Sequence, residues 1–196
     1  MANVNKPFGL RPSGNLSATG AQKQYGYQIA DNQAGAIYQG DLVVVYDGYI
    51  IKYDASTHAA PTGVFNGCQY NDPTRADKPT WKNYYPGSIN INTGIIACEV
   101  LDDPSQLFLV QADGNVTQAN IGKNADPTAS TTGSTTSGDS ATGVYWDSGN
   151  PTQTYAMRIV DLVPDTSYIS SGNLVFPELI VKFNFGFHSY YNATGA

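Results

Sequence analysis

The residues of this chain whose types and spacing could support chemistry are mainly acidic. Glu99, Asp102 and Asp103 lie close together, and paired carboxylates can act as general acid and base or bind a cation. They straddle the predicted end of a strand and a turn, where aspartate is common for conformational reasons alone. A hydrolase that uses Asp102 and Asp103 is one hypothesis, but we predict no enzyme activity and no catalytic, cofactor-binding or metal-binding residue.

Histidine and cysteine offer little further chemistry. The two histidines, His58 and His188, are interpreted as structural or solvent-facing. Cys68 and Cys98 lie in apolar stretches, which favours buried thiols that act as small hydrophobic residues. Two cysteines are too few for a disulfide scaffold, and a metal site would need more ligands. The sequence contains no G-x-S-x-G, H-E-x-x-H or Walker A motif.

The charge distribution argues against a nucleic-acid partner. Charged residues make up 13% of the 196 residues, well below the roughly 25% typical of soluble domains. Lys6, Arg11 and Lys23 are the only charged side chains before Asp31. The first 30 residues therefore carry +3, and the other 166, with 7 basic and 16 acidic groups, carry −9. An acidic body is a poor match for phosphates, whose contacts need lysine and arginine.

The sequence also lacks two kinds of apolar segment. It has no run of about 18 apolar residues, so no membrane span or membrane partner is predicted. The N-terminus lacks the continuous apolar stretch of a signal peptide. We expect a protein that is made in a cytoplasm and stays there until assembly or lysis.

The first twelve residues, MANVNKPFGLRP, are predicted to be an extended arm. Pro7 and Pro12 each fix φ and push the preceding residue towards extended geometry. A segment with no helix or hairpin of its own gains order by lying on something else. Its anchor-type side chains, which we predict to form an interface, are Phe8, Leu10 and Arg11.

A second predicted interface lies in residues 71–87, which we interpret as a long, proline-rich loop. A loop this rich in aromatic residues needs a surface to rest on, so it either folds back on its own domain or contacts a partner. Tyrosine, tryptophan and arginine are enriched at interface hot spots. On this basis the candidate contact residues are Arg75, Trp81, Tyr84 and Tyr85.

Strand signals run through most of the chain. The Asp47-Gly48 dipeptide between the apolar runs 42–46 and 49–53 predicts a β-hairpin. A second hairpin is predicted between 107–111 and 116–117. Further strands are predicted at 25–29, 95–101, 155–160 and 179–187, the last with period-two alternation.

These signals predict an all-β fold. We expect a compact β-sandwich or small β-barrel, jelly-roll-like or made of two sub-barrels, with an extended N-terminal arm and long surface loops. The arm covers residues 1–24 and the β domain 25–196, with a subdivision near residue 90 as one variant. Residues 122–142 contain no large apolar side chain, so we predict a surface excursion that is mobile at its tip. The alternative is a threonine-rich hairpin ordered against a neighbouring subunit.

Several tracts together resemble a group of structural proteins of tailed bacteriophages. In chain order they are KPFGLRP, GDLVVVYDGYIIKY, TGVFNGCQY, KPTWKNYYPGS, LDDPSQLFLVQADG and IGKNADPT. The resemblance implies a capsid decoration, or cement, protein of the virion surface that binds the major capsid protein and has no catalytic role. A homotrimer is favoured because closed rings suit a symmetric shell, on which modest contacts add through multivalency.

Two other classes of function stay open at this point. One is a receptor- or carbohydrate-binding module in which Trp81, Tyr84, Tyr85 and the Tyr145-Trp146 pair stack on sugars. The other is a fibre or tail component. Within the leading hypothesis, the arm either docks on the capsid protein or on a sister subunit.

Overall fold

The computed structural model of the chain describes residues 4–17, 26–128, 132–145, 155–163, 168–170, 173–184, 186 and 188–191. In these residues the regular structure consists of β-strands and short 3-10 helices, which confirms the all-β prediction. The strands in chain order are β1 (Arg11–Asn15), β2 (Tyr27–Ile29), β3 (Ile37–Tyr38), β4 (Leu42–Tyr46), β5 (Tyr49–Lys52), β6 (Gly63–Asp72), β7 (Lys78–Lys82), β8 (Tyr84–Tyr85), β9 (Ile96–Leu101), β10 (Gln106–Gln111), β11 (Asn115–Val116), β12 (Asn124–Pro127), β13 (Val144–Tyr145), β14 (Met157–Val163), β15 (Tyr168–Ser170), β16 (Asn173–Val175) and β17 (Glu178–Phe183). The 3-10 helices are Pro73–Arg75, Gln118–Asn120 and Ser189–Tyr191.

Two six-stranded antiparallel sheets form the body of the protein. The first has the order β1-β10-β17-β14-β12-β13, and the second has the order β2-β9-β6-β4-β5, with β7 also paired to β6. Two smaller sheets, β11-β16-β15 and β3-β8, complete the pairing of the described strands. The sheets do not close into a barrel, so the sandwich form of the prediction is the one that fits.

The hydrophobic core has two parts that follow the two large sheets. Buried residues of the first part include Leu10, Phe108, Met157, Ile159, Leu179, Val181 and Phe183. Those of the second part include Ile29, Val43, Ile50, Phe65, Tyr85, Ile96 and Val100. Leu42, Val64 and Leu101 come from strands of the second sheet but pack in the first part of the core, so the two parts adjoin. The chain passes from the second sheet to the first between β9 and β10.

The hairpin predicted at Asp47-Gly48 is confirmed. Strands β4 and β5 pair in register, with Val45 opposite Ile50. Asp47 and Gly48 have φ values of 47° and 83°, and two positive values at the central positions are what a two-residue type I′ turn requires. Short-range turn chemistry therefore sets this element.

The second predicted hairpin is wrong, although both of its strands exist. Strand β10 pairs with β1 and β17, whereas β11 pairs with β16. After β10 the N–H of Ala112 donates to the carbonyl of Pro177 at 2.9 Å, and that of Asp113 donates to Val144 at 3.0 Å. These distant partners draw the chain away from a return along β10.

The alternation predicted near the C-terminus is confirmed as far as Phe183. Leu179, Val181 and Phe183 are buried, and the residues between them are half-buried. Phe185 and Phe187 lie outside the described residues. Strand β9 also has its predicted central position, between β2 and β6.

Residues 71–82 form a hairpin and Tyr84–Tyr85 form β8, so the segment is not the predicted loop. Strand β6 runs to Asp72, and β7 pairs with it from Lys78. Oδ1 of Asp72 accepts the N–H of Thr74 at 2.9 Å, and Ala76 has a left-handed φ of 55°, so the chain reverses within a few residues. Two of the three prolines of this segment hid the strand, because Pro73 falls at its turn and Pro79 lies on the edge strand β7.

The described residues of the segment 122–142, which we call the Ser/Thr-rich segment, include a strand and buried positions. Residues 124–127 form β12, and residues 132–142 lie against the body, where Ser140 and Thr142 are buried. Residues 129–131 lie outside the described part. The hydroxyls of Ser140 and Thr142 donate to the carboxylate of Asp41, which anchors this end of the segment within the chain. The mobility predicted for its tip falls in part on residues outside the described ones and stays a prediction.

Candidate functional site

The N-terminal tract is hydrogen-bonded to the body of its own chain. We call the backbone contacts of Gly9 and Leu10 with Thr142 and Gly40 the clasp. The N–H of Gly9 donates to the carbonyl of Thr142 at 3.0 Å, and that of Leu10 donates to Gly40 at 3.0 Å. Gly9 has φ 81°, and a Cβ there would lie 3.0 Å from the Cα of Gly40, so the site requires glycine. The chain then continues as β1 along β10. The backbone of the tract is thus held by its own chain, and the contact of its exposed side chains with another protein stays a prediction.

The clasp presents two side chains of the tract at the surface. Phe8 is half-buried, and the guanidinium carbon of Arg11 lies 5.6 Å from its ring centroid. Nη2 of Arg11 also forms an ion pair with Oδ1 of Asp139 at 2.8 Å. An exposed ion pair contributes little stability, about 0–1 kcal/mol, but here it fixes the direction of the guanidinium. We call Phe8, Arg11 and Asp139 the arm motif.

A buried carboxylate lies beneath the clasp. Asp41 is fully buried and forms an ion pair with Nζ of Lys52 at 2.9 Å. It also accepts hydrogen bonds from the N–H of Tyr38 at 2.9 Å, from Oγ of Ser140 at 2.5 Å and from Oγ1 of Thr142 at 3.0 Å. One carboxylate thus joins the β4–β5 hairpin to the Ser/Thr-rich segment that holds the tract.

Two of the predicted interface residues belong to the core. Leu10 is 2% exposed and packs in the first part of the core, and Tyr85 is fully buried in the second. The hydroxyl of Tyr85 donates to the carbonyl of Gln33 at 3.0 Å. The prediction that Leu10 and Tyr85 contact a partner is therefore wrong, because their side chains have no free surface.

The other predicted contact residues reach the surface in separate places. Arg75 is exposed in the 3-10 helix between β6 and β7. Tyr84 is half-buried and stacks on Tyr38, with ring centroids 5.7 Å apart. Trp81 is 55% exposed on β7. The structure does not bring these three together with Phe8 and Arg11 into one cluster of contacts.

Trp81 stands beside a cleft on the exposed face of the second sheet. Gln69 of β6 pairs with Trp81 and with Ala97 of β9, and Ala97 pairs with Gln28 of β2. Directly paired residues share a face, so these side chains form a row across four strands. The cleft has a volume of about 220 Å³ and is lined by Gln28, Gln69, Trp81, Ile95, Ala97 and Glu99, among others.

Glu99, Asp102 and Asp103 are not gathered into one site. Glu99 faces the cleft on β9. Oδ2 of Asp102 accepts the hydroxyl of Tyr27 at 2.8 Å, and Oδ2 of Asp103 accepts the amide of Asn15 at 2.6 Å. Burial, with the neighbouring Asp102 adding to it, raises the pKa of Tyr27 far above its ordinary range, so this hydroxyl stays a donor. Asp102 and Asp103 thereby join segments of the chain at the turn between β9 and β10.

The two histidines and the two cysteines lie in structural positions. His188 is buried against the ring of Phe183, and its centroid lies 5.1 Å away. His58 is half-buried, and its Nδ1 accepts the N–H of Asp54 at 3.2 Å. Both cysteines are buried free thiols, as predicted. Burial is the largest cause that raises the pKa of Cys68 to about 12, which keeps the thiol protonated and unreactive.

A comparison of the chain with protein-family models, curated proteins and solved structures finds no match. In the described part of the chain, no helix is long and apolar enough to cross a membrane. Nor do the described residues contain a group of three or more His, Cys, Asp or Glu side chains placed to hold a metal ion.

Proposed function

We propose that the chain is a capsid decoration, or cement, protein of a tailed bacteriophage. In this role it is made in the host cytoplasm and binds the outer surface of the capsid, where it stabilises the head. Its partner is the major capsid protein, and it acts as a homo-oligomer, with a trimer favoured by symmetry. The resemblance of six sequence tracts to such virion proteins supports the assignment.

The observation that carries the proposal is the arm motif. Aromatic residues and arginine are the types most enriched at protein interfaces, and here Phe8 and Arg11 are held side by side at the surface. The backbone clasp at Gly9 and Leu10 orders this segment before any partner arrives. A preordered contact avoids part of the entropic cost of association, and modest contacts add up when many copies sit on one shell.

The test is decoration of purified capsids by variants of the arm motif. Phe8→Ala and Arg11→Ala should each lower capsid occupancy in a co-sedimentation assay, by about 30-fold in apparent affinity if each is a hot spot worth 2 kcal/mol. Arg11→Lys keeps the charge but loses the planar guanidinium, so it should fall between Arg11→Ala and the parent. Particles decorated with the alanine variants should also release their contents at lower temperature.

A matched control is Tyr49→Ala, which removes an aromatic side chain that is 43% exposed on the β4–β5 hairpin. Its occupancy should equal that of the parent. If the Phe8→Ala/Arg11→Ala double variant folds and decorates capsids as well as the parent, the arm motif is not the contact.

A further inference from the structure

The cleft beside Trp81 has a fixed and open aromatic wall. Gly67 lies under the indole: a Cβ at that position would be 2.7 Å from Cζ2 of Trp81, so the ring rests on bare backbone. The side chain is nevertheless 55% exposed. An aromatic face that is held in place and open to solvent suits a ligand that stacks, because the negative face of the ring attracts the positive edges of C–H bonds.

The floor and the polar rim of the cleft are formed by strand neighbours of Trp81. Ala97 lies between Gln69 and Gln28 in the row, and its small side chain leaves a depression there. Gln69 is exposed and Gln28 half-exposed, and each amide offers one acceptor and two donors. A ligand rich in hydroxyl groups, each both donor and acceptor, matches this rim.

The carboxylate of Glu99 completes the rim in a fixed orientation. Nδ2 of Asn66 donates to Oε2 of Glu99 at 3.2 Å, and Oδ1 of Asn66 accepts the amide of Gln39 at 3.0 Å. The pairing of β6 with β9 shifts register between Phe65 and Gly67, which places Asn66 at the irregular position. This chain of contacts holds an acceptor at the edge of the cleft.

The charge and the volume of the cleft limit the kind of ligand that it can bind. Among the described lining residues Glu99 alone is charged. The neighbouring Lys82 instead lies with Nζ 5.5 Å from the ring centroid of Tyr84 and 6.0 Å from that of Tyr70. The volume of about 220 Å³ is below the roughly 300–1,000 Å³ of sites for drug-sized ligands.

We propose that this cleft binds one neutral pyranose ring of a glycan, which stacks on Trp81 while its hydroxyl groups bond to Gln28, Gln69 and Glu99. An acidic sugar would be repelled by Glu99, since no cation lines the described cleft. The site uses none of the arm-motif residues and is independent of the proposed capsid contact.

The experiment is a ligand-observed NMR titration of the full chain with methyl glycosides of glucose, galactose, mannose and N-acetylglucosamine. N-acetylneuraminic acid serves as the acidic comparison. At least one neutral glycoside should bind. Trp81→Ala should weaken its binding tenfold or more, Trp81→Phe should retain most of it, and Gln69→Ala should weaken it several-fold. Tyr49→Ala, an exposed aromatic of the same sheet outside the cleft lining, should leave it unchanged.

Three outcomes would overturn the proposal. They are the absence of neutral-sugar binding at millimolar concentration, a preference for the acidic sugar, and neutral-sugar binding that Trp81→Ala leaves intact. If Trp81→Ala instead abolishes self-association while no sugar binds, the face joins copies of the chain. Should Trp81→Ala fail to fold, Gln69→Ala carries the test, because Gln69 is exposed. Capsid binding by the arm motif is measured separately, so either proposal can fail alone.

Discussion

Replacement of Asp41 by asparagine tests how the N-terminal tract is held. The carboxylate is fully buried and pairs with Lys52, whose side chain is 25% exposed. In Asp41→Asn the oxygen that faces Ser140 and Thr142 can be kept, but an amide facing Lys52 and the N–H of Tyr38 sets donors against donors. The variant thus leaves a largely buried ammonium group without its partner.

The expected loss follows from that unpaired charge. Removal of one partner of a buried ion pair costs about 3–5 kcal/mol, and the partial exposure of Lys52 points to the lower end. A loss of about 3 kcal/mol corresponds to a fall in Tm of about 6–12 °C for a chain of this length. Lys52→Met should cost less, because Asp41 keeps its three hydrogen-bond donors. The Asp41→Asn/Lys52→Met double variant should then lose less than the sum of the two single losses.

The assay is urea unfolding at pH 7 of the parent, the two single variants and the double variant. Asp139→Asn is the matched control, because it breaks an ion pair whose side chains are 49% and 33% exposed and should cost at most about 1 kcal/mol. A loss below about 1 kcal/mol in Asp41→Asn, or strictly additive losses in the double variant, would refute the argument that this pair anchors the clasp.

Three further predictions concern stability. Leu10→Ala should cost about 2–5 kcal/mol in urea unfolding because it opens a cavity in the first part of the core; a loss like that of an exposed residue would show that the tract is not seated there. Gly48→Ala should cost about 1 kcal/mol, as Gly48 has φ 83° in the hairpin turn; an unchanged midpoint would contradict the turn. Burial lowers the pKa of His188 below 6.5, against the opposing charge of Asp102. The unfolded chain therefore binds a proton that the folded chain excludes, so stability should fall as the pH drops below about 6.5 and His188→Gln should flatten that fall; parallel curves for parent and variant would contradict it.

Elements set by adjacent residues could be predicted from the sequence, and elements set by distant partners could not. Asp47-Gly48 dictates its own turn, and the alternation around Leu179 and Val181 reports one buried face. The sequence after Gln111 resembles that of the first hairpin. The N–H groups of Ala112 and Asp113 instead donate to the carbonyls of Pro177 and Val144, so no hairpin forms there. Local turn signals do not specify which strand a segment will pair with.

The candidate site, too, could be predicted only in part from the sequence. The residue types at Phe8, Arg11 and Trp81 mark surface positions, but Leu10 and Tyr85 have equally suitable types and are buried. Burial depends on the register of strands far apart in the chain, which a list of residue types does not contain. The cleft could be found only once β6 and β7 were known to pair, because that pairing brings Gln69 beside Trp81 and, through β9, beside Gln28.

The low content of charged residues is consistent with how distant segments of the chain are connected. Many links between distant segments are hydrogen bonds with uncharged donors, such as those from Ser140 and Thr142 to the carboxylate of Asp41 and the chain from Gln39 through Asn66 to the carboxylate of Glu99. The N–H of Ser140 also donates to the carbonyl of Gln39 at 2.9 Å, so one network reaches from the arm clasp towards the cleft. Salt screens exposed charges strongly but buried, short-range contacts much less. A surface positioned in this way should keep its geometry over a wide range of ionic strength, which would suit the proposed role on a capsid.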